Sequence, residues 1–232
     1  MYEFLLERSR TEFETVQVLR KTERGTVSLL RHRESGTAYI LRCFQGGIDV
    51  YRRLQHISSP HLPQIYEIAE ADGQALVLEE YVRGDTLFEL MKGAFFTPRE
   101  TKKIAMELCR ALWVFHSCGA VHRDVKPENV ILRPEGAVLI DFDASRVVKP
   151  TAENDTHVLG TLGYAAPEQF GFSQTDARSD IYSLGVLMNV MLTGEHPSRV
   201  PARGHLGRVI LKCTMIAPEK RYSDVLHLME AL

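Results

Sequence analysis

The chain of 232 residues carries 28 Lys+Arg against 30 Asp+Glu, a net charge of -2, with 44% hydrophobic and 25% charged residues. That length and composition suit one or two domains with a real core and exclude collagen-like, low-complexity and disordered chains. The near-even charge supplies no global basic field for nucleic acid or an anionic membrane, and no apolar run reaches the ~18 residues of a membrane span.

Residues 13–19 and 26–31 read as strands around a turn, with 39–44 a third after Glu34-Ser35-Gly36-Thr37. Residues 49–57 place Val50, Leu54 and Ile57 at helical spacing, and 65–69 with 75–80 flank the turn Ala71-Asp72-Gly73. One helix is therefore expected to interrupt a five-stranded antiparallel sheet. Beyond residue 85 the apolar period changes from 2 to 3.6. Thr97 is the expected N-cap and Pro98 the first helical residue; Ile104, Leu108, Leu112 and Phe115 follow in register, and Gly119 ends the helix. Residues 179–193 are apolar all round, which predicts a helix at the centre of its unit, and 222–232 predict a closing helix. The fold class expected is α+β, β-rich over 1–82 and mainly helical over 83–232. Cys43, Cys109, Cys118 and Cys213 are widely spread without a C-x-x-C pair, so neither disulfide nor zinc is expected. The N-terminal residues lack the order of a secretory signal, and a cytoplasmic location is expected.

Chemistry concentrates in Val121-His122-Arg123-Asp124-Val125-Lys126-Pro127-Glu128-Asn129-Val130, which sets a carboxylate, an ammonium and an amide between a helix end and the β segment 130–132. Asp141-Phe142-Asp143 follows behind Val138-Leu139-Ile140, and further on come Gly160-Thr161-Leu162-Gly163-Tyr164-Ala165-Ala166-Pro167-Glu168, Ser179-Asp180-Ile181 and Pro218-Glu219-Lys220-Arg221. Together these resemble the catalytic loop, metal-binding turn, activation-segment end, central helix and final arginine of a eukaryotic-type Ser/Thr protein kinase, in a form similar to bacterial members. The resemblance covers nearly the whole chain and implies one bilobal domain over 1–232, with a smaller lobe 1–82 and a larger lobe 83–232.

The resemblance implies ATP and Mg²⁺ as cofactors and a protein as substrate. Asp124 would orient the attacking hydroxyl and accept its proton, Lys126 would neutralise the moving phosphoryl group, and Asn129 with Asp141 would hold Mg²⁺ through oxygen ligands. By the same matching, Glu80 and Val82 would present backbone to adenine, Val27 and Ile131 would sandwich the base, and Asp85 would reach the ribose. His122, Phe142 and Asp180, with Leu54 and Ile65, would form a stacked spine. Glu168 and Arg221 would pair to fasten the activation segment. Arg123 would receive a phosphate placed on Thr156, with Thr151 also available, and Thr161 would contact the catalytic carboxylate.

Several positions depart from the family pattern. The glycine-rich loop falls on Arg20-Lys21-Thr22-Glu23-Arg24-Gly25-Thr26-Val27, where only the last glycine remains. The ATP-anchoring lysine falls at Arg42 and its helical glutamate at Val50, while Glu79 occupies an apolar gatekeeper position. An Arg42–Glu79 ion pair on neighbouring strands is expected, since each would relieve the other's burial. Asp143 replaces the glycine of D-F-G, removing a residue suited to positive φ. These departures leave three readings open: an active Ser/Thr kinase, a pseudokinase that binds nucleotide or acts as a scaffold, and a small-molecule phosphotransferase.

Overall fold

A computed structural model describes residues 2–148, 161–170 and 175–232. The chain separates into one unit of Met1–Ser59 with Pro63–Val82 and a second of Pro60–Leu62 with Arg83–Leu232.

In the first unit β1 (Phe13–Thr22), β2 (Gly25–His32), β3 (Ala38–Gln45), β4 (Ile65–Ala71) and β5 (Gln74–Glu80) form one antiparallel sheet in the order β1-β2-β3-β5-β4. Thr22 pairs with Gly25, so the segment expected to resemble a glycine-rich loop is a tight hairpin turn through Glu23 and Arg24. Gly25 is required there, because a Cβ would overlap the Cys43 carbonyl on the next strand. Helix α2 (Asp49–Leu54) stops short of the expected end at Ile57.

Helix α1 (Tyr2–Thr11) was not expected from the sequence. It buries Leu5 against Phe13, Leu30, Leu41, Ala69, Leu76 and Leu78. Arg8 adds hydrogen bonds to Glu12 and, at 2.7 Å, to Glu67 on β4. Since successive strand residues point to opposite faces, the Leu41 and Leu78 face belongs to α1 and the Arg42 and Glu79 face lies on the other side.

The second unit begins with β6 (Asp85–Thr86) and α3 (Leu87–Met91), followed by α4 (Pro98–Ser117). The Thr97 hydroxyl accepts from the Glu100 N–H, and the Glu100 carboxylate accepts from the Thr97 N–H, a complete capping box. Strand β7 (Ala120–Val121) pairs with β10 (Arg146–Val147), while β8 (Val130–Arg133) and β9 (Gly136–Leu139) join β6 in a three-stranded sheet. Helix α5 (Ala177–Thr193) runs from the Asp176 cap to Gly194, whose φ of 74° ends it. Its Ile181, Leu184, Leu187 and Met188 are buried with Leu108, Leu112 and Phe115 of α4, each such side chain contributing about 1.5–3 kcal/mol.

Helix α6 (Gly204–Cys213), also unexpected, packs on α5 through Leu206, Val209 and Ile210. Helix α7 (Val225–Ala231) begins after Asp224, whose side chain accepts from the His227 N–H, rather than at residue 222. No described helix is long and apolar enough to cross a membrane.

Candidate active site

The loop between β7 and β8 is held from beneath by one buried carboxylate. Asp180 of α5 accepts from the His122 N–H at 2.9 Å, the Arg123 N–H at 2.7 Å and His116 Nε2 at 2.9 Å. Burial alone would raise the Asp180 carboxyl; the bond from His116, nearby His122 and the Arg123 N–H outweigh it and hold the group below the usual Asp value. These bonds stabilise Arg123 at a φ of 70°, a conformation costly for a bulky side chain.

Immediately after Arg123, four side chains converge. Asp124 Oδ1 accepts from the Thr161 hydroxyl at 2.8 Å, and Asp124 Oδ2 meets Lys126 Nζ at 2.7 Å and Asn129 Nδ2 at 2.9 Å. Lys126 Nζ also donates to Thr161 Oγ1 at 2.7 Å, and Asn129 Nδ2 to the Asp124 carbonyl at 2.9 Å. The Asp124 and Lys126 side chains remain 14% and 19% exposed, so a reacting group can reach them. The contact expected of Thr161 with the Asp124 carboxylate is present.

Asp141 is brought to the same loop by the β8–β9 ladder. Val130 faces Leu139, and one step outward the Ile140 N–H donates to the Asn129 carbonyl at 2.9 Å. Asp141 follows with a φ of 68°. The positive φ at this turn therefore falls on Asp141, and Asp143 needs none; its N–H donates back to Asp141 Oδ1 at 3.4 Å. Asn129 spends its amide nitrogen on Asp124, which leaves the amide oxygen on the opposite side of the planar group. An amide oxygen and a carboxylate are hard donors that fit Mg²⁺, an ion that takes one or two carboxylates and fills its octahedron with water and phosphate. Among the described residues no group of three or more His, Cys, Asp and Glu forms a fuller cage.

Phe142 is buried and packs edge-on to Phe115 at 5.0 Å and His122 at 5.9 Å, with Phe115 and His122 at 5.2 Å. Burial lowers the His122 imidazole, which accepts the Asp124 N–H at Nδ1 over 3.3 Å. Leu54 and Ile65 are buried within the first unit.

The Ala-Pro-Glu segment is fixed by Glu168 and Arg221, bidentate at 2.6 and 2.9 Å and both buried. Ser179 Oγ donates to Glu168 at 2.8 Å, and Arg221 also donates to the carbonyls of Met215, Ile216 and Arg178. Burial pushes the Glu168 carboxyl up, but the bonds from Arg221 and Ser179 bring it below the usual value. Burial, aided by Arg146, pushes the Arg123 guanidinium down to about 10. Thr151 and Thr156 lie outside the described residues.

In the first unit Arg42 Nε donates to Glu79 Oε1 at 2.7 Å, with side chains 6% and 4% exposed. The β3–β5 register sets Arg42 opposite Val77 and Glu79 opposite Ile40, making the two diagonal neighbours on one face. Val27 lies opposite Arg42 on β2, and Val82 is buried. The Glu80 N–H donates to the Gln64 carbonyl at 2.8 Å, and its carboxylate accepts from the Gln64 N–H at 3.1 Å. In the second unit Ile131 is half-buried opposite Thr86, and exposed Asp85 lies opposite Leu132. Gly84, at a φ of 150°, permits that approach, since a Cβ would overlap the Leu132 carbonyl.

Three side chains with no role assigned from the sequence support the loop or the strand β9 that follows it. Gln169 is fully buried, donates to the Arg123 carbonyl at 2.8 Å and accepts from the Ala166 N–H at 3.0 Å. His116 supports Asp180, and Glu107 accepts from the Ala137 N–H at 2.8 Å beneath β9.

Comparison with known proteins adds an independent line. A model of the protein kinase domain matches residues 23–226. Among curated relatives, the chain is 37% identical over 144 residues to the probable serine/threonine-protein kinase pknA2 of Bifidobacterium longum, covering 61% of this chain and 19% of that protein. It is 34% identical over 168 residues to serine/threonine-protein kinase pkn2 of Myxococcus xanthus, covering 69% and 20%. Against serine/threonine-protein kinase PknB of Mycolicibacterium smegmatis it is 31% identical over 185 residues, covering 76% and 30%. The matched region thus spans a fifth to under a third of these relatives.

Proposed function

The chain belongs to the protein kinase family, and from that premise we propose that it is a Ser/Thr protein kinase that transfers the γ-phosphoryl group of ATP to a protein hydroxyl. The observation that carries this reading is the Asp124, Lys126, Asn129 and Thr161 network, with Asp141 held beside it by the Asn129–Ile140 backbone bond.

Asp124 orients the substrate hydroxyl and accepts its proton as oxygen attacks the γ-phosphorus; the bond from that phosphorus to the β-phosphate bridging oxygen breaks, and ADP leaves. Lys126 offsets charge on the transferring group, and Thr161 fixes the Asp124 rotamer. Family members use ATP with a divalent metal, and Mg²⁺ is the ion we assign to Asn129 and Asp141, where it would neutralise triphosphate charge. Glu80 and Val82 would offer backbone to adenine, Val27 and Ile131 apolar contact, and Asp85 a ribose contact. Arg123 would bind phosphate on the activation segment, and the domain would work in the cytoplasm.

The test is transfer of labelled γ-phosphate from ATP to a generic basic protein with Mg²⁺, against Asp124→Asn. Transfer by wild type and its loss in the variant support the kinase reading. Nucleotide binding without transfer by wild type would replace it with the pseudokinase reading.

A further inference from the structure

The first unit places its buried charge pair where sheet geometry, and not a helix, decides its direction. Arg42 and Glu79 project from one face of β3 and β5, whose backbones are joined by continuous register from Tyr39–Glu80 to Gln45–Gln74. The opposite face is backed by Leu5 of α1 against Leu41 and Leu78. Helix α2 holds one carboxylate, Asp49, which is exposed, and Val50 stands buried where the family has its glutamate. In protein kinases the nucleotide-anchoring cation pairs with a glutamate on that helix, so helix position controls the anchor.

A guanidinium stays charged through the neutral range, so at 6% exposure Arg42 needs a counter-charge there. Glu79 supplies it at Nε, along one edge of the planar fork, and thereby fixes the plane in which the terminal nitrogens lie. We propose that Glu79 is the positioning residue for Arg42, holding its guanidinium as a phosphate-binding anchor closed within the sheet and independent of α2. The inference rests on the kinase reading for its ligand, and it assigns a role to the carboxylate at the gatekeeper position.

The experiment is a double-mutant cycle on Arg42 and Glu79, read as KM for ATP, kcat and melting temperature. Glu79→Gln should raise KM about tenfold, the size of one charge-assisted hydrogen bond, and leave kcat within about threefold. In an Arg42→Ala background the same change should move KM less than about twofold, because its route is gone. If Glu79→Gln does not fold, Glu79→Asp carries the test, with a KM rise of about three- to fivefold from the shortened reach. Asp49→Ala on α2 should leave KM unchanged.

A lowered melting temperature with KM unmoved would make the pair structural only and overturn the proposal. So would an equal Glu79 effect with and without Arg42, or a KM rise in Asp49→Ala matching that of Glu79→Gln. If wild type neither binds nor transfers, the kinase reading itself has failed; if wild type transfers and the cycle shows no coupling, only this inference has.

Discussion

The two units secure their charged side chains by different devices. In the second, Asp124 lies on a loop whose backbone is over-determined by Asp180, His116 and Gln169, with the positive φ at Arg123 stabilised by those bonds. In the first, Arg42 and Glu79 need no loop; strand register alone makes them neighbours. Groups that meet a reacting atom need angles regular structure rarely provides, whereas a charge that only holds a ligand can sit on a plain strand. Damage to the Asp124 loop should cost rate, and damage to the Arg42–Glu79 pair should cost affinity or local stability.

The largest expected effect is on rate. Asp124→Asn should lower phosphoryl transfer by about 10²–10⁴-fold in steady-state kinetics, with melting temperature little changed. Next comes the Glu168–Arg221 pair: Arg221→Ala leaves the buried Glu168 carboxylate without its counter-charge and should cost about 3–5 kcal/mol, read by denaturant unfolding.

The same pair sets an acid limit. The folded Glu168 carboxyl is held below its ordinary value near 4.5, so its contribution is complete above that pH and is lost as pH falls through the folded value. His122, held below 6.5 by burial, acts in the same direction from a higher pH, because the unfolded imidazole takes a proton that the folded one resists. Unfolding monitored from pH 7 to 4 should show stability falling throughout; a rise would contradict these assignments.

Leu5→Ala should cost about 2–4 kcal/mol and raise hydrogen exchange in β1, β4 and β5 while the Asp124 loop stays protected. Thr97→Ala, which removes half of the α4 capping box, should cost about 1 kcal/mol in the same unfolding assay.

Legibility in the sequence followed how local each signal is. Helix α4 announced itself through Thr97, Pro98 and Glu100, and α5 through its unbroken apolar surface. Helix α1 did not, because Glu3, Glu7, Arg8 and Arg10 crowd ten residues and only Leu5 is fully buried. Helix α6 begins at Gly204, contains Gly207 and has no side-chain cap, so packing of Leu206, Val209 and Ile210 outweighs weak propensity. Asp124, Lys126 and Thr161 were legible as a motif, and Arg42 with Glu79 as two linked departures on adjacent strands. Gln169 and His116 were not, because a bond from Gln169 to the Arg123 carbonyl or from His116 to Asp180 spans distant segments and leaves no local pattern. The positive φ expected to be missed at Asp143 is carried by Asp141.

The most direct test of the division between reacting and holding groups is calorimetric titration of Mg-ATP into Asp124→Asn. Binding within about threefold of wild type, from a protein that no longer transfers phosphate, is the expected result, since only the proton acceptor has been changed. Loss of binding together with loss of transfer would show that Asp124 holds the nucleotide as well, and the account of two separate devices would be wrong.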